Sequence, residues 1–120
     1  MKLRLYESAS LKIAELIADS VIVNTIQDAL DIMCHAGELE AQSIVLHQNQ
    51  LAPEFFDLKS GLAGEILQKF SNYRMRLAIV GDFSRYESQA LKAFITECNR
   101  GNQVFFVSSR EKAIHKLASI

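Results

Sequence analysis

Strand-like and helix-like segments alternate through most of this sequence, and that alternation constrains the fold more than any other feature. A strand is predicted at residues 76–81, and its residues 77–80 are apolar without a period of two, which is typical of a strand buried on both faces. Further apolar strands are predicted at residues 43–47 and 103–107, with helical patterns between the three. Strands separated by helices pair in parallel through right-handed crossovers. The sequence therefore predicts an α/β fold with a chiefly parallel sheet.

The first eighteen residues predict a hairpin that leads into this sheet. Residues 2–6 alternate polar and apolar side chains, the period of a half-buried strand, and residues 7–10 resemble a turn. A second strand is expected at residues 11–18, although the spacing of its apolar residues also fits a helix. Together with the three later strands, the hairpin predicts a mixed sheet of about five strands in one domain over residues 1–120.

Four helices are expected, and three of them begin with a capping-box pattern, a short polar residue followed three positions later by Glu or Gln. The three patterns are Asn24 with Gln27, Ser84 with Glu87, and Ser108 with Glu111. Gly37 and Gly101 are expected to end the first two of these helices. The fourth helix is predicted at residues 58–73.

Composition excludes several classes of protein. The chain is 49% apolar and 22% charged with a net charge of −1, which is typical of a globular protein and not of a disordered chain or a strongly basic nucleic-acid binder. No basic cluster is interleaved with aromatic residues, so we expect no nucleic-acid partner. No apolar run is long enough to span a membrane, so we expect no association with a membrane.

Two features predict a cytoplasmic location. Charged residues interrupt the first residues at every second position, unlike the apolar core of a signal peptide. The two cysteines, Cys34 and Cys98, lie far apart within helical patterns, which fits a reducing compartment better than a disulfide scaffold.

The loop at residues 48–57 is longer than the roughly two to six residues that usually join a strand to a helix. It follows a parallel strand, so it lies at the carboxyl edge of the sheet, where open α/β sheets bind ligands. Its apolar residues Leu51, Phe55 and Phe56 either fold back against the sheet or face a partner. The pattern leaves both arrangements open.

A resemblance to a family rests on this loop and the segments that follow it. Residues 51–70 read LAPEFFDLKSGLAGEILQKF, and residues 77–83 read LAIVGDF. This combination resembles an uncharacterised bacterial domain-of-unknown-function family of single-domain proteins of about this length. The resemblance covers nearly the whole chain and implies a bacterial host, but no activity.

The order of elements also resembles the STAS domain of anti-anti-sigma factors and sulfate-transporter tails. Those domains carry an Asp-Ser-Ser-Gly-Leu motif before a helix, and phosphorylation of its serine switches partner binding. Here Ser60, Gly61 and Leu62 match the end of the motif, while Lys59 replaces its first serine and Asp57 lies three residues before Ser60. The resemblance implies a STAS-like fold and a phosphorylation switch at Ser60.

The leading hypothesis from the sequence is a non-enzymatic, cytoplasmic regulatory or protein-interaction module. Its partner surface is expected on the loop and the start of the next helix, with the two phenylalanines as anchors. The residues of this surface are Leu51, Glu54, Phe55, Phe56, Asp57, Ser60, Gly61 and Gly64.

The alternative hypothesis is a small-ligand-binding protein or enzyme with a cleft at the carboxyl ends of the parallel strands. His47 and Asp82 each follow such a strand, and with Glu54 and Asp57 they offer acid–base or metal-ligating groups. No spacing matches a metal, nucleophile or phosphate-loop motif, so we expect no metal, no cofactor and no catalytic residue.

The first predicted strand lies at an edge of the sheet. Lys2 and Arg4 are expected to protect this edge from pairing with other strands. A homodimer through an edge strand or through helices stays open.

Overall fold

A computed structural model describes residues 1–119 as a five-stranded sheet flanked by helices. The strands are β1 (Lys2–Ser8), β2 (Leu11–Ile17), β3 (Ser43–His47), β4 (Arg76–Val80) and β5 (Val104–Val107). The α-helices are α1 (Ile26–Glu38), α2 (Leu62–Asn72), α3 (Gln89–Arg100) and α4 (Arg110–Ala118). Short 3-10 turns at Gln48–Gln50, Pro53–Phe56 and Leu58–Ser60 lie between β3 and α2. The predicted α/β class, with a hairpin, five strands and four helices, is confirmed.

The strands lie side by side in chain order, β1-β2-β3-β4-β5. β1 pairs antiparallel with β2, and the remaining neighbours pair in parallel. Because every crossover steps in the same direction and is right-handed, α1, α2 and α3 all cover one face of the sheet. We call this the three-helix face.

In the part of the chain that the structure describes, the second face of the sheet is covered by α4 alone, and we call it the α4 face. Ala113 and Leu117 of this helix form a buried apolar cluster with one residue from each of the four parallel strands. Those strand residues are Ile13, Val45, Ala78 and Phe105. Since α4 follows the end of β5, its first residue lies at the carboxyl edge of the sheet, which is also the edge where the loop after β3 begins.

Two helices begin one residue later than their predicted capping boxes. Thr25, not Asn24, caps α1, because its hydroxyl oxygen accepts the backbone N–H of Asp28 while the Asp28 carboxylate accepts that of Thr25. Ser109, not Ser108, caps α4. In both places two polar residues stand side by side, and the second, which has an extended backbone, is the cap.

α3 and α2 begin further from their predicted positions. Ser88 caps α3, while Ser84 instead donates its hydroxyl to the carboxylate of Asp82 in a tight turn. α2 begins at Leu62 because Gly61 adopts a left-handed backbone with φ +79°, which separates it from the preceding 3-10 turn.

The predicted helix ends have mixed outcomes. α3 ends at Gly101 as expected. α1 continues through Gly37 to Glu38, so the expectation that Gly37 ends it is wrong. No helix within residues 1–119 is long and apolar enough to cross a membrane.

Candidate functional site

The apolar residues of the loop after β3 lie in the core beneath the three-helix face. Leu51, Phe55 and Phe56 are 3%, 1% and 6% exposed. The Phe56 ring contacts that of Phe55 edge-on and stacks on that of Tyr86, with centroids 5.1 Å apart in both pairs. The loop therefore folds back against the sheet, and neither phenylalanine ring is exposed to anchor a partner, contrary to the leading hypothesis.

The other residues of the predicted partner surface are exposed. They are Glu54, Asp57, Ser60, Gly61 and Gly64. Their hydrogen bonds are local: the Ser60 hydroxyl donates to the Glu54 carbonyl oxygen at 2.6 Å, and the Asp57 carboxylate accepts the backbone N–H of Lys59 at 3.2 Å. These bonds hold the turn that leads into α2.

The predicted cleft residues do not join into one cluster. The Asp82 carboxylate accepts hydrogen bonds from the hydroxyl and backbone N–H of Ser84, and these bonds lower the pKa of Asp82. His47 instead contacts Glu15, which lies on β2. Within residues 1–119 no group of three or more His, Cys, Asp or Glu side chains is placed to hold a metal ion. The arrangement of His47 with Asp82, Glu54 and Asp57 expected from the sequence is therefore not formed.

A different polar site is centred on Glu15, whose side chain is fully buried on the α4 face. Its carboxylate accepts the hydroxyl of Tyr6 at 2.7 Å and lies 2.6 Å from Nε2 of His47. Nε of Arg110 lies 2.9 Å from each of its two oxygens. We call Tyr6, Glu15, His47 and Arg110 the Glu15 cluster.

Each residue of the Glu15 cluster comes from a different element. Tyr6 lies on β1 and Glu15 on β2, while His47 is the last residue of β3 and Arg110 the first residue of α4. Buried Gln50 fixes the end of β3, because its amide oxygen accepts the His47 backbone N–H and its amide nitrogen donates to the carbonyl of Leu16. The cluster therefore joins the hairpin, the central sheet and α4 at the carboxyl edge.

Electrostatics favour an ionised Glu15. Burial alone would raise the pKa of this carboxyl, but hydrogen bonds from His47, Tyr6 and Arg110 outweigh burial and hold its pKa below the ordinary value. The same contact raises the pKa of Arg110, which therefore stays charged. Glu15 and Arg110 form an ion pair in which the carboxylate is buried and the guanidinium side chain is 43% exposed.

An open pocket of about 210 Å³ adjoins this cluster at the end of β2. Glu15, His47 and Arg110 line it, together with Asp19 and Asn49. A larger groove of about 510 Å³ between α1 and the start of β4 is lined mainly by apolar side chains and holds no comparable polar network. The smaller pocket is therefore the one whose lining can form ionic and hydrogen-bonded contacts with a ligand.

The Glu15 carboxylate fixes His47 and Arg110 through one nitrogen each. Within the described chain, Nδ1 of His47 and both terminal nitrogens of Arg110 have no hydrogen-bond partner. Arg4 lies directly opposite Glu15 across the hairpin and is exposed, as is Lys2 opposite Ile17. Positively charged and hydrogen-bonding groups therefore remain unused around the pocket.

Three of the four residues of the Glu15 cluster were not identified from the sequence. A signal for Glu15 existed, because it stands between Ile13 and Ile17 where a period of two requires an apolar side chain. No local pattern marks Arg110, which lies 95 positions from its carboxylate partner.

Comparison with known proteins identifies one family. A family model described as Domain of unknown function (DUF4180) matches residues 8–117. No curated protein and no solved structure matches the chain. The STAS-like resemblance therefore stays a prediction, while the expected match to an uncharacterised family is confirmed.

Proposed function

We propose that this chain, which belongs to the family Domain of unknown function (DUF4180), binds a small anionic ligand in the pocket beside the Glu15 cluster. The ligand group is a carboxylate or a phosphate. The observation that carries the proposal is the buried Glu15 carboxylate, which holds a histidine and an arginine side by side and leaves their other nitrogens unused.

The geometry of Arg110 supports an anionic ligand. With Nε committed to Glu15, its two terminal nitrogens remain as a planar pair of donors, which matches two oxygens of a carboxylate or phosphate. Because the guanidinium is already oriented by Glu15, little side-chain freedom is lost when a ligand binds.

Three cationic side chains lie at or beside the pocket. Lys2, Arg4 and Arg110 are cationic at this end of the α4 face, against the carboxylates of Glu15 and Asp19. With His47 neutral, the charged residues that line the pocket sum to −1, and the sum becomes +1 only when Lys2 and Arg4 beside the pocket are included. The side chain of His47 is 26% exposed, so its Nδ1 is available as a donor when the ring is protonated.

A titration of the protein with inorganic phosphate, and separately with acetate, tests this proposal. We expect saturable shifts of the His47 ring and Arg110 side-chain NMR signals in low-salt buffer that contains neither anion. Arg110→Gln is expected to weaken binding about tenfold or more, because a charge-assisted hydrogen bond contributes about 1.5–3 kcal/mol.

Arg100→Gln is the matched control, since Arg100 is an exposed arginine that pairs with Glu97 on α3. It is expected to bind as the unmodified protein does. Because Arg110→Gln also removes a contact of Glu15, circular dichroism must show that the variant is folded, and His47→Gln gives a second test. Equal binding by all variants, or shifts that never saturate, would contradict the proposal.

The second candidate function is the non-enzymatic cytoplasmic interaction module, with a STAS-like switch at Ser60. What supports it is the exposed acidic turn before α2, where Glu54 and Asp57 are held in place by buried Phe55 and Phe56. A phosphate on Ser60 would remove its hydrogen bond to the Glu54 carbonyl and add negative charge to this turn.

Glu54→Lys tests the second candidate, because within residues 1–119 the exposed Glu54 side chain makes no hydrogen bond that the substitution would remove. A partner captured from host lysate by the unmodified protein should be lost, while the exposed control Glu97→Lys should retain it. Retention by both variants would remove the acidic turn from the partner surface.

A further inference from the structure

One edge of the sheet is blocked by a side chain. At β5, the Asn99 amide nitrogen of α3 donates to the carbonyl of Phe106 at 3.2 Å, and its oxygen accepts the Phe106 backbone N–H at 2.8 Å. The amide thus occupies both main-chain groups that this residue directs away from β4. Another strand cannot pair there without displacing Asn99.

Among residues 1–119, no side chain blocks the opposite edge, which is formed by β1, in this way. The N–H and C=O of Lys12 bond to Gln42 on the β3 side, so they point away from β1. Glu7 lies opposite Lys12, so its own N–H and C=O point outward, as do those of Leu5 and Leu3 by alternation. In the described chain these three N–H and three C=O groups have no hydrogen-bond partner.

We propose that β1 pairs antiparallel with β1 of a second copy of this chain, so that the two five-stranded sheets become one continuous sheet of ten strands. The two-fold axis passes midway between the two Leu5 residues. Each Leu5 then lies opposite Leu5 of the partner subunit, and each Leu3 lies opposite Glu7 of the partner subunit. In this register the six outward main-chain groups of each strand all form hydrogen bonds with the partner strand.

Charge opposes the neighbouring register centred on Arg4. Lys2 and Arg4 share the α4 face with Tyr6 and Ser8, because successive residues of a strand alternate between faces. In the register centred on Leu5, Arg4 meets Tyr6 of the partner subunit and Lys2 meets Ser8 of the partner subunit. A register centred on Arg4 would place two arginines directly opposite each other, which is destabilising.

The apolar surface of β1 fits the same arrangement. Leu5 is 37% exposed on the three-helix face and lies at the proposed two-fold axis, so pairing buries it against its own copy. An arginine beside an aromatic ring adds a cation–π contact at Arg4 and Tyr6. The two cations that would discourage pairing at this edge therefore each meet a neutral side chain.

Mass measurement by light scattering and by sedimentation tests the dimer. We expect twice the 13.5 kDa of one chain. Leu5→Pro should halve that mass with the fold intact, because the N–H it removes points outward and not to β2. Leu5→Lys should also give a monomer, since it places two like charges at the two-fold axis.

Tyr73→Lys is the control, because Tyr73 is 65% exposed outside β1. It should remain a dimer. A monomeric unmodified protein would overturn the proposal, as would a dimer that both Leu5 variants leave unchanged. Either result leaves the ligand proposal standing, because the Glu15 cluster is contained in one chain.

Disulfide cross-linking tests the register. In a background with Cys34→Ser and Cys98→Ser, Leu5→Cys is expected to form covalent dimers on oxidation, since opposite residues lie about 5.5 Å apart between Cα atoms. Leu3→Cys should not cross-link, because its own copy lies several residues away along the strand. Cross-linking of Leu3→Cys alone would exclude this register.

Discussion

Phe55→Ala is expected to lower the free energy of unfolding by about 3–5 kcal/mol, a large fraction of the stability of a domain of this size. The Phe55 ring is 1% exposed and contacts the ring of Phe56 edge-on, within the core of the three-helix face. Its removal leaves a cavity that the loop after β3 cannot fill without shifting. Urea unfolding at neutral pH, followed by circular dichroism, measures the loss.

Tyr73→Ala supplies the comparison, because this aromatic side chain is 65% exposed. Its effect should stay within about 0.5 kcal/mol. An unchanged urea midpoint for Phe55→Ala would place the ring outside the core and restore the hypothesis that it anchors a partner. The measurement thus separates the two arrangements that the sequence left open for this loop.

The parallel sheet was predictable because its signal is local. A strand covered by helices on both faces has no polar side, and the continuous apolar run at residues 77–80 follows directly from that burial. The bounds of β3 also match its apolar run, Ser43–His47. The hairpin was predictable from the period of two in its first strand, although its turn contains two residues and not the four predicted at residues 7–10.

Helix starts were less predictable because they depend on where each helix docks. Ser108 and Ser109 are chemically equivalent caps, and the choice between them follows from how α4 packs its Ala113 and Leu117 on the sheet. The late start of α3 has a similar cause. The Phe83 ring lies 6.1 Å from that of Phe56 and 5.2 Å from that of Phe106, measured between centroids. The segment around Phe83 therefore packs against the core and does not extend the helix.

The candidate site was only partly predictable. The carboxyl edge was identified, and His47 was placed at it, because strand ends can be located from local pattern. The predicted partner of His47 was Asp82, and this was wrong, because Asp82 bonds within its own turn. His47 instead contacts Glu15, which lies on the α4 face of β2. The period of two indicates the face of a strand residue, but which distant residue meets it there follows from tertiary packing alone.

Glu15→Gln is expected to lower the free energy of unfolding at neutral pH by about 2–3 kcal/mol. The substitution removes a buried negative charge and leaves Arg110 without its ion-pair partner. An amide also carries two donors where the carboxylate accepted all its hydrogen bonds, so it opposes the donors of Tyr6 and Arg110. The cost stays below that of a fully buried pair because Arg110 and His47 are partly exposed to water.

The pH dependence of stability gives this prediction a second measurement. Hydrogen bonds hold the pKa of folded Glu15 below its unfolded value of 4.5, so its contribution to stability is complete above that value. The contribution is lost as the pH falls through the lower folded pKa. Urea midpoints should therefore fall more steeply for the unmodified protein than for Glu15→Gln between about pH 5 and pH 2, and the gap between them should narrow.

Glu97→Gln is the matched control, because Glu97 pairs with Arg100 on the exposed side of α3. A surface ion pair contributes about 0–1 kcal/mol, so this variant should follow the unmodified protein at every pH. A gap between Glu15→Gln and the unmodified protein that stays constant from neutral to acidic pH would mean that folding does not shift the pKa of Glu15, and relative stabilisation of the unmodified protein as the pH falls would mean that Glu15 is protonated in the folded state. In either case His47 and Arg110 would not stabilise the ionised Glu15 carboxylate, and the ligand pocket would lose the fixed guanidinium that the anion is proposed to meet.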